Sequence, residues 1–211
     1  MQIISHRGFW TDESEKNTVS AFRRAFTMDF GVETDFRDRN GHLVISHDPP
    51  NNEALTAEAF FEIYHESGCR SPLALNIKAD GLQGLLCELL DGHGIDNYFV
   101  FDMSVPDALA YHRGGFCTFT RQSEWEPQPS FYAEAHGVWM DTFISDWIDE
   151  TSVDGHLREG KRVCLVSPEL HRRNHLSFWN RLKEMECLCD DRLMLCTDYP
   201  EDARRYFHGQ N

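Results

Sequence analysis

Short apolar runs alternate along this chain with longer stretches whose apolar positions recur every three or four residues. The runs fall at 3–5, 31–36, 73–77, 98–101, 116–120, 138–140, 163–166 and 193–196. Their lengths and the turn residues around them predict strands. Between them the period changes to that of a helix. Thr18 or Asn17 can cap a helix that buries Val19, Phe22, Ala25 and Phe26. Leu82, Leu85, Leu86 and Leu89 form one stripe, and Ser104 with Pro106 opens a third helix. Phe178, Leu182 and Met185 mark a fourth, and Pro200 begins the last. Residues 121–136 carry no periodicity and predict a long loop. Asn40-Gly41 ahead of the apolar run 43–45 predicts a β-hairpin.

Eight strand–helix units in 211 residues predict an α/β fold, a compact (β/α)8 TIM barrel. Residues 1–211 read as a single domain, with a doubly wound open sheet as the alternative. In a barrel, chemistry gathers at the C-terminal strand ends. Those ends carry His6-Arg7-Gly8, Glu33 and Asp35, Asn76-Ile77-Lys78, Asp102, Glu169-Leu170-His171 and Asp198.

Charge narrows the partners. Twenty Lys and Arg stand against 35 Asp and Glu, a net charge of −15, which opposes a nucleic-acid or anionic-membrane surface. No run of apolar residues is long enough for a transmembrane helix, and the N-terminus lacks a signal-peptide pattern. Seven cysteines, an odd number without a C-x-x-C pair, predict a reduced, cytoplasmic protein.

Glu33 and Asp35 are two apart on a strand, so they share a face. Two inward carboxylates need a proton or a cation between them, and oxygen-only ligands suit Mg²⁺ or Ca²⁺. The alternative is a solvated strand end paired with Arg37 and Arg39. The cluster His171-Arg172-Arg173-Asn174-His175 is the densest basic segment, and Arg172 is a candidate phosphate contact. A zinc pair of His171 and His175 is disfavoured because Arg172 occupies the place of a zinc protease glutamate. Trp10, Trp125, Trp139 and Trp147 are candidates for the mouth or for the core.

The segments Ile4-Ser5-His6-Arg7-Gly8, Asn17-Thr18-Val19-Ser20-Ala21-Phe22, Glu33-x-Asp35, Asn40-Gly41 and His47-Asp48 resemble, in order and spacing, the N-terminal signature of glycerophosphodiester phosphodiesterases. Cys196-Thr197-Asp198-Tyr199-Pro200 resembles that family's last strand, while the middle of the chain is only weakly similar. The resemblance implies a barrel enzyme that hydrolyses a phosphodiester with a divalent metal. It implies that His6 and His47 are the acid–base pair and that Glu33 and Asp35 hold the metal. Arg7 would contact the phosphate and Lys78 would stabilise charge on it. Two positions depart from the family: Asn76 replaces a third carboxylate, and Lys16 replaces an acid. An amide oxygen at Asn76 can still ligate the metal but brings no charge. Asp102 or Glu169 is expected to supply that charge. The expected substrate is a small polar diester, glycerol- or sugar-based. The alternatives are a phosphate-binding protein without turnover, and a glycoside hydrolase using Glu33 and Glu169. Oligomeric state is not legible.

Overall fold

The computed structural model describes residues 1–209. The elements run β1 (Gln2–His6), α1 (Val19–Thr27), β2 (Gly31–Arg39), β3 (His42–Ile45), β4 (Leu55–Thr56), α2 (Ala57–Ser67), β5 (Leu73–Ile77), α3 (Gln83–His93), β6 (Tyr98–Phe101) and α4 (Val105–Arg113). They continue with β7 (Phe119–Gln122), β8 (Gly137–Met140), α5 (Glu150–Arg158), β9 (Arg162–Val166), α6 (Leu176–Glu184), β10 (Leu193–Thr197) and α7 (Pro200–His208). Leaving aside the excursion β3–β4, this is the strand–helix alternation that the sequence predicts. One helix is missing from it, because residues between β7 and β8 form a loop.

Contacts gather the chain into two compact units: Ser5–Thr118, and Met1–Ile4 with the chain from Phe119 onward. In the first, Val32–Phe36 of β2 run parallel to β5, and β5 runs parallel to β6. The outer half of β2 instead pairs antiparallel with β3 across Asn40 and Gly41, both at positive φ. That is the backbone an Asn-Gly hairpin turn requires. In the second unit β7, β8, β9 and β10 are all parallel, in that order.

Helices α1, α2 and α4 begin at side-chain caps. Thr18 accepts from the Ala21 amide, Thr56 from Ala59 and Ser104 from Asp107, each satisfying an orphan N–H of a first turn. Ala21, Phe22, Ala25 and Phe26 of α1 are buried, but Val19 is not; it is the first helical residue and is 39% exposed. On α3 the buried line is Leu82, Leu86 and Leu90, with Leu85 and Leu89 half-buried at its margin. Met185 is buried just beyond the end of α6. The strand expected at 116–120 begins later, at Phe119. Phe116 packs edge-on against Tyr111 of α4 instead, at 5.0 Å between ring centroids.

A phenylalanine cluster fixes β2. Phe36 meets Phe60 and Phe61 of α2, and Phe60 meets Phe22 of α1 at 4.7 Å. All four are fully buried, each stabilising the fold by about 1.5–3 kcal/mol. Because side chains alternate on a strand, anchoring Val32, Thr34 and Phe36 on one face commits Glu33 and Asp35 to the other.

Candidate active site

The unit Ser5–Thr118 brings together most of the residues that the sequence singles out. Glu33 and Asp35 are 2% and 0% exposed, so neither is a solvated strand end. Register places Asn76 of β5 beside Asp35. The Asn76 amide Nδ2 donates to Glu33 Oε1 at 3.1 Å. Asn17, just ahead of the α1 cap and at φ 60°, donates from Nδ2 to Asp35 Oδ2 at 2.9 Å and accepts from Thr34 Oγ1.

Two cations converge on Asp35. Arg7 Nε lies 3.1 Å from Oδ2, and Lys78 Nζ lies 3.6 Å from Oδ1. Lys78 also sits 3.5 Å from Asp102 Oδ2. Glu33 has weaker support: the Arg7 backbone N–H donates to Oε2 at 3.3 Å, and His6 Nε2 is 3.8 Å away. Its carboxyl is pushed above the usual range, first by burial and then by the Asp35 charge. His6, Arg7 and Lys78 oppose that rise.

The backbone is bent to make this arrangement. Arg7 and Asp102 adopt left-handed φ of 57° and 70°, and Gly8 follows at 86°. A Cβ on Gly8 would meet Ala21 Cβ at 2.9 Å, so only glycine lets this turn lie on α1. Left-handed non-glycine residues cost of order 1 kcal/mol each and collect where function overdetermines them.

His47 follows β3 on the excursion. Its Nδ1 pairs with Asp48 Oδ1 at 2.9 Å, which leaves Nε2 to face other groups. His47 and Arg7 line the same open cavity of about 700 Å³, between the β1–α1 loop and the segment after β3.

Other candidates lie in the second unit, at the ends of β8, β9 and β10. Glu169 is in a 3₁₀ turn after β9 and accepts from the Ser167 and Thr197 hydroxyls and, at 3.1 Å, from the Asp198 amide. Trp179 Nε1 in turn donates to Ser167 at 2.8 Å. His171 pairs with the buried Asp141 at 2.5 Å, whereas His175 lies 3.9 Å from Glu169, so each histidine has its own carboxylate. Arg173 is engaged by Asp146 and the Thr142 carbonyl. Arg172 is exposed, and among the described residues no carboxylate is paired with it. Trp139 is buried in the core, Trp10 and Trp147 donate to the His6 and Asp141 carbonyls, and Trp125 is exposed.

The sequence marks Asn17 as a cap and within the family signature but gives it no role in the site, and it does not single out Asp141. The signal for Asn17 was a doubled cap: Asn17-Thr18 offers two caps for one helix, and Thr18 suffices. Asp141 directly follows an apolar run, the same position that Asp102 holds after β6.

Among the described residues no three His, Cys, Asp or Glu side chains gather in the manner of a metal site. Oxygen donors of the kind a hard cation takes are nevertheless present. Asn76 Oδ1 is buried without a hydrogen-bond partner, and Asp35 Oδ1 has only the Lys78 ammonium, at 3.6 Å; the orphaned amide oxygen costs free energy unless a cation or water meets it.

No protein-family model matches the chain. No curated protein matches it by sequence. Solved structures do match. A glycerophosphodiester phosphodiesterase from Parabacteroides distasonis aligns with a TM-score of 0.73 at 13% identity, over 98% of this chain and 96% of its own. The enzyme of that name from Agrobacterium tumefaciens gives 0.68 at 13% identity over the whole of both chains. A phosphodiesterase from Oleispira antarctica, solved with its product sn-glycerol-3-phosphate, gives 0.68 at 16% over 99% and 97%. The likeness establishes the fold class, an α/β (β/α)8 barrel like that of glycerophosphodiester phosphodiesterases.

Proposed function

We propose that this chain, carrying the fold of the glycerophosphodiester phosphodiesterases, is a phosphoric diester hydrolase acting on a small polar diester. The observation that carries the reading is the convergence of Arg7 and Lys78 on buried Asp35, next to Glu33 and His6. A structural ion pair would need one cation. Two cations and two acids held partly out of water form a site that can exchange internal pairing for a phosphate and a metal.

Glu33, Asp35 and the Asn76 amide oxygen would hold Mg²⁺ or Ca²⁺, which neutralises charge on phosphoryl oxygens when bound. Arg7 supplies a guanidinium fork matched to two phosphate oxygens, and Lys78 an ammonium beside it. Asp102, 3.5 Å from Lys78 Nζ, holds it close. His47, with Nδ1 held by Asp48, offers Nε2 for proton transfer, and His6 Nε2 stands 3.8 Å from Glu33 Oε2. The two are the acid and base of cleavage. The reading takes the whole chain as one catalytic domain. It also sets that domain in the cytoplasm, where its seven cysteines remain reduced.

The test is calorimetric titration of the metal-stripped protein with Mg²⁺ and Ca²⁺, beside Glu33→Gln/Asp35→Asn, followed by hydrolysis of bis(p-nitrophenyl) phosphate and a glycerophosphodiester. Binding that disappears in the variant, with metal-dependent turnover, supports the reading. Asp102→Asn and Glu169→Gln, titrated alongside, test whether either makes up the charge that Asn76 lacks; unchanged metal binding in both overturns that part of the reading. Asn76 favours a second reading, a phosphate-binding protein of the same fold. Phosphate-analogue binding without turnover of any diester would establish that instead.

A further inference from the structure

The cavity of about 700 Å³ that holds Arg7 and His47 is within the size range of small-molecule sites and exceeds what one phosphate fills. One wall is the β1–α1 loop and the start of α1, from Ser14 to Val19; the other is the segment after β3. The first wall presents only cations among its charged lining side chains. It carries Arg7 and Lys16, together with the N-terminus of α1, whose first turn has no acidic residue to neutralise it. Arg7, beside Asp35, is assigned to the diester phosphate, which leaves Lys16 as that wall's other cation.

Lys16 is also pre-positioned. Its Nζ sits 4.4 Å from the centre of the Trp10 ring, and its side chain is only 21% exposed. Glu13, at 3.8 Å, is 82% exposed, so solvent screens that pair. On the opposite wall Asp48 is engaged by His47, and Glu53 is exposed. An ammonium held over an indole in an acidic chain, facing an open cavity, is suited to a ligand anion.

Resting on the diesterase reading, we propose that Lys16 determines specificity by reading a second negative charge on the substrate. The preferred diester carries a further phosphate or carboxylate on the arm that lies in this cleft, while its diester phosphate meets Arg7 and Lys78. Trp10 fixes the ammonium by its ring face and need not itself touch substrate.

The experiment compares matched pairs that differ by one charged group. Glycerophosphoinositol and its 4-phosphate are compared by kcat/KM, and glycerophosphoethanolamine against glycerophosphoserine separates a phosphate requirement from a carboxylate one. Inositol 1-phosphate and inositol 1,4-bisphosphate, which are not diesters, are compared by calorimetry. The expected result is a preference of about tenfold for the more anionic member of at least one pair. That ratio should collapse in Lys16→Gln, reverse in Lys16→Glu and return in Lys16→Arg, with the melting temperature holding in each. Equal values for every pair in the wild type would overturn the proposal, as would a Lys16→Gln variant that lowers both members by one factor. The two readings fail separately. Charge-selective binding of the monoesters that depends on Lys16, without hydrolysis of any diester, would support the cleft's role and sink the diesterase reading.

Discussion

Asn76 donates from Nδ2 to Glu33 Oε1 at 3.1 Å and leaves its own Oδ1 buried without a hydrogen-bond partner. The amide thus does two things that a carboxylate could not do together. It donates a hydrogen bond to Glu33 in the absence of a cation, and it keeps one neutral oxygen donor in reserve. An acid in its place would add a third negative charge beside two buried carboxylates.

Asn76→Asp should therefore make the fold depend on a cation. Without divalent ions its melting temperature should fall by about 5 °C, as a hydrogen bond is replaced by repulsion. Mg²⁺ or Ca²⁺ should restore it and raise it by more than in the wild type. Melts with and without chelator measure both effects, and identical curves for the two proteins would remove Asn76 from the metal argument.

Burial and the Asp35 charge raise the Glu33 carboxyl, so the native state holds a proton there more tightly than the unfolded chain does. The sign follows from linkage. An acid with a raised folded pKa favours the fold at low pH, and that advantage is lost as pH rises above its ordinary value near 4.5. At pH 7, above that value, burying the carboxyl is a net cost. Glu33→Gln should raise the metal-free melting temperature by roughly 2–4 °C while abolishing stabilisation by divalent ions. A lower melting temperature at pH 7 would show that Glu33 is fully compensated.

His6→Ala and His47→Ala should each lower kcat by about 10²–10⁴ on a generic diester while circular dichroism stays native. His47 is 48% exposed, so its removal opens no cavity. Turnover at the wild-type rate in either variant removes that histidine from the chemistry.

His156 bridges the long β7–β8 loop. Its Nδ1 meets Tyr132 Oη and its Nε2 meets Gln122 Oε1, both at 2.8 Å. Burial, with a smaller push from Lys161, holds it below the ordinary imidazole value of 6.5, partly offset by Glu159. The unfolded chain then takes up a proton more readily below pH 6.5, and stability falls as pH drops from there. His156→Gln should flatten the fall in melting temperature between pH 7 and pH 5. An unchanged slope would mean that the loop is held independently of this ring.

Gly8→Ala should destabilise the protein by about 2–4 kcal/mol, because it combines a left-handed φ with a Cβ pressed onto α1. Urea denaturation reads the loss directly. A change below about 0.5 kcal/mol would show that the β1–α1 turn relaxes freely.

The sequence by itself determined the strand–helix alternation, the Asn40-Gly41 hairpin and the shared face of Glu33 and Asp35, because each follows from a local period or a backbone preference. It also announced the loop between β7 and β8, by lacking any period. It could not place Phe116, whose apolarity serves Tyr111 rather than a strand, nor choose Thr18 over Asn17 as the cap. Tertiary structure decided those, and it made Asn17 a partner of Asp35. It also decided which cation meets which acid: Arg7 and Lys78 go to Asp35, while Glu33 takes an amide and a backbone N–H. Pairing of that kind depends on strand register and on left-handed turns at Arg7 and Asp102, and these are set by packing across β2 and β5 rather than by neighbours along the chain.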